Sequence, residues 1–313
     1  MTTPVEAAST QQAPNGTAGR RGSRGRAGLA PYLFVAPYVL LLVLFGVLPA
    51  LYSILISFDD TFAPGLNFNG LHNYLVAVRD FRFAPAFGNV GLYLLIWLPF
   101  MTVVVLGLAL LLHQRPGRLS TLARLVYFLP GAVTGSAAVV LWLFVLDPTV
   151  SPFGPALRMF GVGTLREAVD GRALAFSIAL MAFSIGAGGW IVIMYGALQN
   201  IDRDLVEAAT IDGCNAWQLA WHVKLPLIQK YVVYMLVLSF AGGTQLFVEP
   251  QLIGQAAGPG VVSPTWSPNL LAYDFAFNIG NFGAAAAISM LLLVVGLLGA
   301  YLLIFRTKFF EVS

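Results

Sequence analysis

Six strongly apolar stretches of this 313-residue chain contain no Asp, Glu, Lys or Arg: 27–58, 83–114, 125–146, 173–201, 231–248 and 275–305. No other feature constrains the fold as strongly. A helix needs about 20 apolar residues to cross a bilayer. Five of the stretches reach that length outright, and the short one, 231–248, continues as a hydrophobic run past Glu249 to Ile253. Backbone N–H and C=O groups find no water in hydrocarbon, so such runs span as helices. The alternating segments of a membrane β-barrel do not occur. The reading is an all-α integral membrane protein with six transmembrane helices, at roughly 29–57, 88–112, 123–146, 173–198, 227–253 and 283–305.

Composition agrees. The chain is 58% hydrophobic and 10% charged, with a mean hydropathy of +0.80, whereas soluble domains are about 25% charged. That excludes an ordinary cytosolic enzyme, a disordered scaffold and a nucleic-acid binder. The net charge of +3 has a topological origin. The N-terminal tail, the 2–3 and 4–5 loops and the C-terminus together carry twelve Lys and Arg, and the opposite side carries five. The richer side is cytoplasmic by the positive-inside rule, which puts both termini inside. Residues 1–27, rich in Ala, Ser, Thr, Gln, Gly and Arg, cannot bury enough apolar surface to fold and read as a disordered basic cytoplasmic tail. The apolar run that follows is longer than the core of a signal peptide, so it reads as an uncleaved first helix opening a membrane domain over 28–313. The single cysteine, Cys214, excludes an intrachain disulfide.

The loop at 200–226, between the fourth and fifth spans, differs from the others. Asp204 is placed to cap a helix through Leu205, Glu207, Ala208 and Ala209, with acids early in the dipole. Gly213 supplies a C-terminal break. A second short helix, about 215–223, is expected to stop before Pro226. Two short helices around a glycine make a protruding knob.

This loop resembles the signature of permease subunits of binding-protein-dependent ABC importers: Glu-Ala-Ala, three residues, Gly, nine residues, then an aliphatic, any residue and Leu-Pro. Here Glu207, Ala208, Ala209, Gly213, Val223, Leu225 and Pro226 stand at that spacing, with Asp212 just before the glycine. The family usually has Ile at 223, often Pro at 202 and often Ala at 214; this chain has Val223, Asp202 and Cys214. The resemblance extends loosely over 30–310 towards the carbohydrate branch, the relatives of maltose and glycerol-3-phosphate permeases. It rests there on Phe247, Gly258-Pro259, Thr265, Tyr273 with Phe275 and Phe277, the run from Gly283 to Ser289, and on Asn89, Arg124, Pro130 and Trp142.

The resemblance implies a type I ABC importer permease fold in a bacterial inner membrane. It also implies three kinds of partner: a second permease subunit, related but different, two ATPase subunits, and an extracytoplasmic solute-binding protein. Residues 203–225 would sit in a groove of the ATPase and transmit its closure. No cofactor is expected in this chain, with ATP and Mg carried by the ATPases. None of the three lysines follows a glycine, so no phosphate-binding Gly-Lys loop exists. His72, His113 and His222 are far apart in sequence, and neither a catalytic nor a metal constellation is expected. The solute would be a sugar or a related compound. The alternatives are a polyamine, phosphate or amino acid permease, a secondary transporter, or a channel-like protein. The near absence of charge inside the spans argues against proton coupling.

For the substrate pathway, Gln245 and Glu249 are spaced to share one face of the fifth helix, just after Gly242-Gly243. Phe247, Trp142, Trp190 and Tyr195 would offer aromatic platforms, and Asn89 a polar contact.

Overall fold

The computed structural model describes residues 30–60, 65, 67–133 and 135–306. The basic tail read at 1–27 lies outside them. The chain divides into two units, 1–50 and 51–313. In the first, the described residues are helical apart from a π turn at Val43–Val47, and every side chain from 32 to 50 is exposed. An apolar helix with no dry face of its own is built for lipid or for another subunit. The run continues to Ser57 as α1 (Tyr32–Ser57).

The second unit contains α2 (His72–Arg79), α3 (Phe83–Gln114), α4 (Arg118–Ala132), α5 (Gly135–Leu146), α6 (Gly154–Met159), α7 (Leu165–Val169), α8 (Ala173–Gln199), α9 (Arg203–Ile211), α10 (Ala216–Leu227), α11 (Gln229–Gly243), α12 (Val248–Ala257), α13 (Pro268–Tyr273) and α14 (Phe282–Arg306). Among the described residues, β structure is limited to one isolated bridge between Asp59 and Phe68.

Four helices, α1, α3, α8 and α14, are long and apolar enough to cross a membrane unaided. Straight helices do not occupy the expected third and fifth spans. Two bent pairs, α4 with α5 at 109° and α10 with α11 at 70°, are apolar enough to cross only if each pair counts as one span. The region of the expected fifth span differs most. Instead of one helix over 227–253, α11 ends at Gly243, residues 244–247 are non-helical, and α12 starts anew at Val248. Gly242 and Gly243 weaken the helix locally. The freed backbone is satisfied from outside, because the Ser267 hydroxyl, fully buried, donates to the Leu246 carbonyl at 2.7 Å. Irregular backbone at membrane depth requires such partners.

The core lies between α3 and α8. On α3 the residues Tyr93, Trp97, Met101, Val105 and Ala109, each four apart, are all buried; this spacing keeps them on one face of the helix. From α8, Ile178, Met181, Ile191, Met194 and Leu198 join them. Glycines permit the closest approaches. A Cβ on Gly188 would lie 2.5 Å from the Tyr127 carbonyl carbon and 2.6 Å from Phe128 Cα, and one on Gly131 would lie 2.9 Å from the Ile185 carbonyl oxygen. The end of α4 thus rests backbone against backbone on α8.

At the other end of α3, Arg82 bridges two acids. Its Nε donates to Asp80 at 2.9 Å and its Nη1 to Asp274 at 2.6 Å, and its guanidinium lies 5.3 Å from the Phe275 ring centre. The guanidinium hydrogen bond holds the Asp80 carboxyl below the usual carboxylate range. A depressed folded value means that the pair contributes fully above about pH 4 and loses that contribution as pH falls through the folded value. Arg82→Ala should destabilise the protein by about 2 kcal/mol at neutral pH, the scale of a charge-assisted hydrogen bond. The difference from the parent should shrink below about pH 4. Thermal unfolding of the two proteins across that pH range checks both statements.

Candidate functional site

A cavity of ≈ 310 Å³ opens between α3, α5, α8, α11 and α12. Tyr93, Trp97 and Met101 form its wall on α3, Ile178, Met181, Ile185 and Trp190 its wall on α8, and Ser239, Gly242, Gly243, Leu246 and Glu249 the side made by α11, the break after it and α12. Its size is at the lower end for small-molecule sites. Tyr93 and Trp97 stack with ring centres 6.1 Å apart and planes 14° from parallel. Gly243 lets α11 approach them, since a Cβ there would lie 2.6 Å from Leu94 Cδ2 and 3.2 Å from the Tyr93 ring.

Two polar atoms of this lining are buried without a hydrogen-bond partner, Trp97 Nε1 and Ser239 Oγ. Native proteins pair nearly all such groups, and an unmade buried bond costs about 1–3 kcal/mol. Orphan donors beside a carboxylate and two stacked rings, in a cavity with no Lys, Arg or His in its lining, suit a neutral ligand rich in hydroxyls.

Of the pathway residues read from the sequence, Glu249 and Trp190 line this cavity, and Trp190 also packs edge-on to Tyr234 at 5.8 Å. Glu249 is placed by the break after α11. It sits in the first turn of α12. Gln245 is in the non-helical segment and exposed, so the expected shared face with Glu249 does not exist: the break at Gly243 puts the two residues in different elements. Phe247 packs edge-on to Tyr273 at 5.6 Å. The Asn89 amide donates to the Trp266 carbonyl at 3.0 Å, and the Trp142 indole donates to Ser184 at 2.9 Å. Tyr195 lies elsewhere, under the Arg124 guanidinium at 3.9 Å and edge-on to His113 at 6.0 Å. Each of these groups has a partner that accounts for it.

The segment after α8 has a different character. Asp202, not Asp204, caps α9: its carboxylate accepts from the Asp204 N–H at 3.1 Å. At the other end Gly213 adopts φ +87°. The Cys214 N–H reaches the Ala209 carbonyl at 3.1 Å and the Gly213 N–H reaches that of Thr210 at 3.1 Å. This paired closure needs a left-handed residue where the glycine stands. Asn215 and Gln218 then form a reciprocal capping box, both bonds at 2.9 Å. The second helix does not stop before Pro226 as expected. A π turn, Leu219–Lys224, carries the chain through it to Leu227. The wider turn accommodates a residue that lacks an N–H and would crowd a regular helix.

Glu207, Ala208, Asp212, Gly213 and Pro226 are exposed, and Ala209, Val223 and Leu225 are partly buried. Ile211 (85%), Trp217 (73%) and Trp221 (58%) are also exposed, and the two tryptophans stack at 5.9 Å. Solvent-facing apolar side chains of this size, clustered on one short segment, mark a contact surface. From behind, buried Lys224 ties the segment to the end of α3, with Nζ 3.3 Å from His113 Nδ1.

Comparison with known proteins places this geometry. The arabinooligosaccharide transport system permease protein of Bacillus subtilis strain 168 is 28% identical over 267 residues, covering 85% of each chain. The lactose transport system permease protein of Rhizobium radiobacter is 29% identical, covering 84% of this chain and 89% of its own. The sn-glycerol-3-phosphate transport system permease protein of Agrobacterium fabrum is 28% identical, covering 85% and 90%. In three dimensions the chain superposes on a subunit of a bacterial alginate ABC transporter, crystallised with an alginate pentasaccharide-bound periplasmic protein, with a TM-score of 0.72. That match covers 89% of this chain and 94% of the other at 16% identity, and it establishes the type I ABC importer permease fold. The family model for the inner membrane component of binding-protein-dependent transport systems matches residues 17–308, so this chain, a multi-pass inner-membrane protein, belongs to that family.

Proposed function

We propose that this chain is one transmembrane subunit of an ATP-driven importer for a neutral sugar or oligosaccharide. The observation that carries the substrate is the lining of the cavity between α3 and the broken fifth span: orphan Trp97 and Ser239 donors, a Glu249 carboxylate, stacked aromatic rings and no cation. An anionic solute would meet a carboxylate and no cation there, whereas sugar hydroxyls can pair with the donors and the carboxylate while the rings cover an apolar face. The sugar permeases among the relatives support the same class.

In this reading six spans cross the membrane, the two bent pairs counting as one each, and both termini face the cytoplasm. The solute arrives on an extracytoplasmic binding protein. A second permease subunit completes the pore, and two ATPase subunits dock on 202–227, where Glu207, Asp212, Gly213 and the stacked tryptophans are exposed. ATP and Mg stay on those ATPases. Closure of the ATPases biases the permease between inward- and outward-facing states.

The test is uptake of labelled lactose and maltose into proteoliposomes holding the full complex and its binding protein. Uptake should require ATP; transport without ATP or ATPase would instead indicate a secondary transporter. Glu249→Ala should lower uptake about tenfold, the loss of one to two hydrogen bonds, with assembly intact, and Gln245→Ala should do much less. Equal effects of the two would mean that the cavity is not the path. The orientation has its own check. In a Cys214→Ser background, Gln218→Cys should be protected from an impermeant thiol reagent in intact cells, and external labelling would reverse the topology.

A further inference from the structure

A second cavity, of ≈ 400 Å³, lies on the other side of α12, outside the site assigned above. Its position follows from the local sequence. Gln251 and Gln255 stand one turn apart on α12, on the face away from Glu249, and both line it. Opposite them the chain turns back through Gly258 and Gly260, at φ +96° and +76°, and lays Val262 on the helix at Gly254, where a Cβ would lie 3.2 Å from Val262 Cβ. The remaining wall is Tyr273, Asp274 and Asn278. The Tyr273 ring is 41% exposed and is held from behind by Phe247 and Phe277, at 5.6 and 4.8 Å. Asp274 is the one charged residue of the lining, and it is already engaged: Oδ2 accepts from Arg82 and Oδ1 from Asn278, at 2.6 and 2.7 Å.

The geometry points to a separate binding site for a neutral sugar in this cavity, a station that shares α12 as a wall with the cavity of Glu249. Amide side chains both donate and accept, which matches a ring of hydroxyls. An exposed aromatic face with its edge fixed supplies the apolar platform. With its only charge a carboxylate bound to Arg82, the cavity offers an anion no attraction and a cation little. The ligand class rests on the carbohydrate reading above; the existence of the site does not.

Thiol protection on the full complex separates the two. In the Cys214→Ser background, Gln255→Cys reports on this cavity and Gly242→Cys, at an exposed position with open space for a side chain, on the other, with a maleimide as the reagent and lactose, maltose and glucuronate as probes. Lactose or maltose should slow labelling at 255 at least fivefold, and glucuronate at the same concentration should not. Adding Gln251→Ala should raise the half-protecting concentration at 255 about tenfold and leave that at 242 unchanged. A ligand-driven change of conformation, by contrast, would move both reporters together. Protection at 242 without protection at 255 overturns this site and leaves the proposed function standing. Protection at neither position overturns both, and protection by glucuronate equal to that by the sugars overturns the neutral ligand class.

Discussion

Gly188→Ala should leave this protein unable to form a stable, monodisperse particle. One methyl group suffices because of what it meets. A Cβ at 188 would be driven against the Tyr127 carbonyl and Phe128 Cα at 2.5 and 2.6 Å, and backbone cannot rotate aside as a side chain can. Either α4 must lift from α8 or the helix must distort, and each loses packing across the core. Overpacking of this kind costs about 3 kcal/mol or more, a large part of the stability of a typical domain. The neighbouring residue is the control. Gly189 has nothing within 4 Å of its added Cβ, so Gly189→Ala should be neutral or slightly stabilising, as alanine is the better helix former. Size-exclusion profiles and melting midpoints of the two variants decide it. A Gly188→Ala protein that melts with the parent would mean that α4 and α8 do not meet as described.

Gly213→Arg should abolish transport while leaving insertion and assembly of the membrane subunits intact. Here the open space matters as much as the conformation. No atom lies within 4 Å of a Cβ built at 213, so the internal cost is confined to holding a non-glycine residue at φ +87°, about 1–2 kcal/mol. That is too small to unfold the chain. Any larger effect must arise on a surface that the chain does not cover itself, between α9 and the stacked tryptophans of α10. Gly213→Asn separates the causes, because asparagine tolerates the left-handed region with a short side chain, and it should retain most of the uptake. Glu207→Lys, on the exposed face of α9, should impair transport in the same direction but less. The measurements are co-purification of the ATPase and uptake, made on the same preparations. Full uptake by Gly213→Arg would remove the docking role from this segment.

The regular spans were legible because partition into lipid depends on composition alone. Residues 83–114, 173–199 and 282–306 follow the expected spans 88–112, 173–198 and 283–305 to within five residues. The breaks in the third and fifth stretches were not, because they go with tertiary contacts that no local pattern records: Gly188 receiving the end of α4, and Ser267 capturing the Leu246 carbonyl between α11 and α12 from 21 residues away. The segment after α8 lies between these cases. Its turn at Gly213 is a local matter and was readable, while the choice of Asp202 over Asp204 as cap depends on backbone geometry at one residue. The cavity was the least legible part. Trp97 carries no mark in an apolar run that separates a cavity wall from a lipid-facing residue; the hint was the four-residue spacing of Tyr93, Trp97 and Met101. Family resemblance singled out Asn89 and Trp142, and the search for an aromatic platform Tyr195, and each of these is occupied by an internal partner.

The glycine contacts also differ in kind, and the difference bears on how the protein can flex. At Gly188 and Gly131 helix meets carbonyl, a joint with no rotamers and therefore no slack. At Gly243 and Gly299 the surfaces opposed are the side chains of Leu94, Tyr93 and Phe240, which can swing to new positions at modest cost. A molecule assembled this way is stiff between α4 and α8 and compliant where α11 touches α3 and α14. Whatever rearrangement opens the Glu249 cavity should therefore carry α4 and α8 as one piece and slide α11 past its neighbours, and a cross-link across the first joint should be silent where one across the second arrests the cycle.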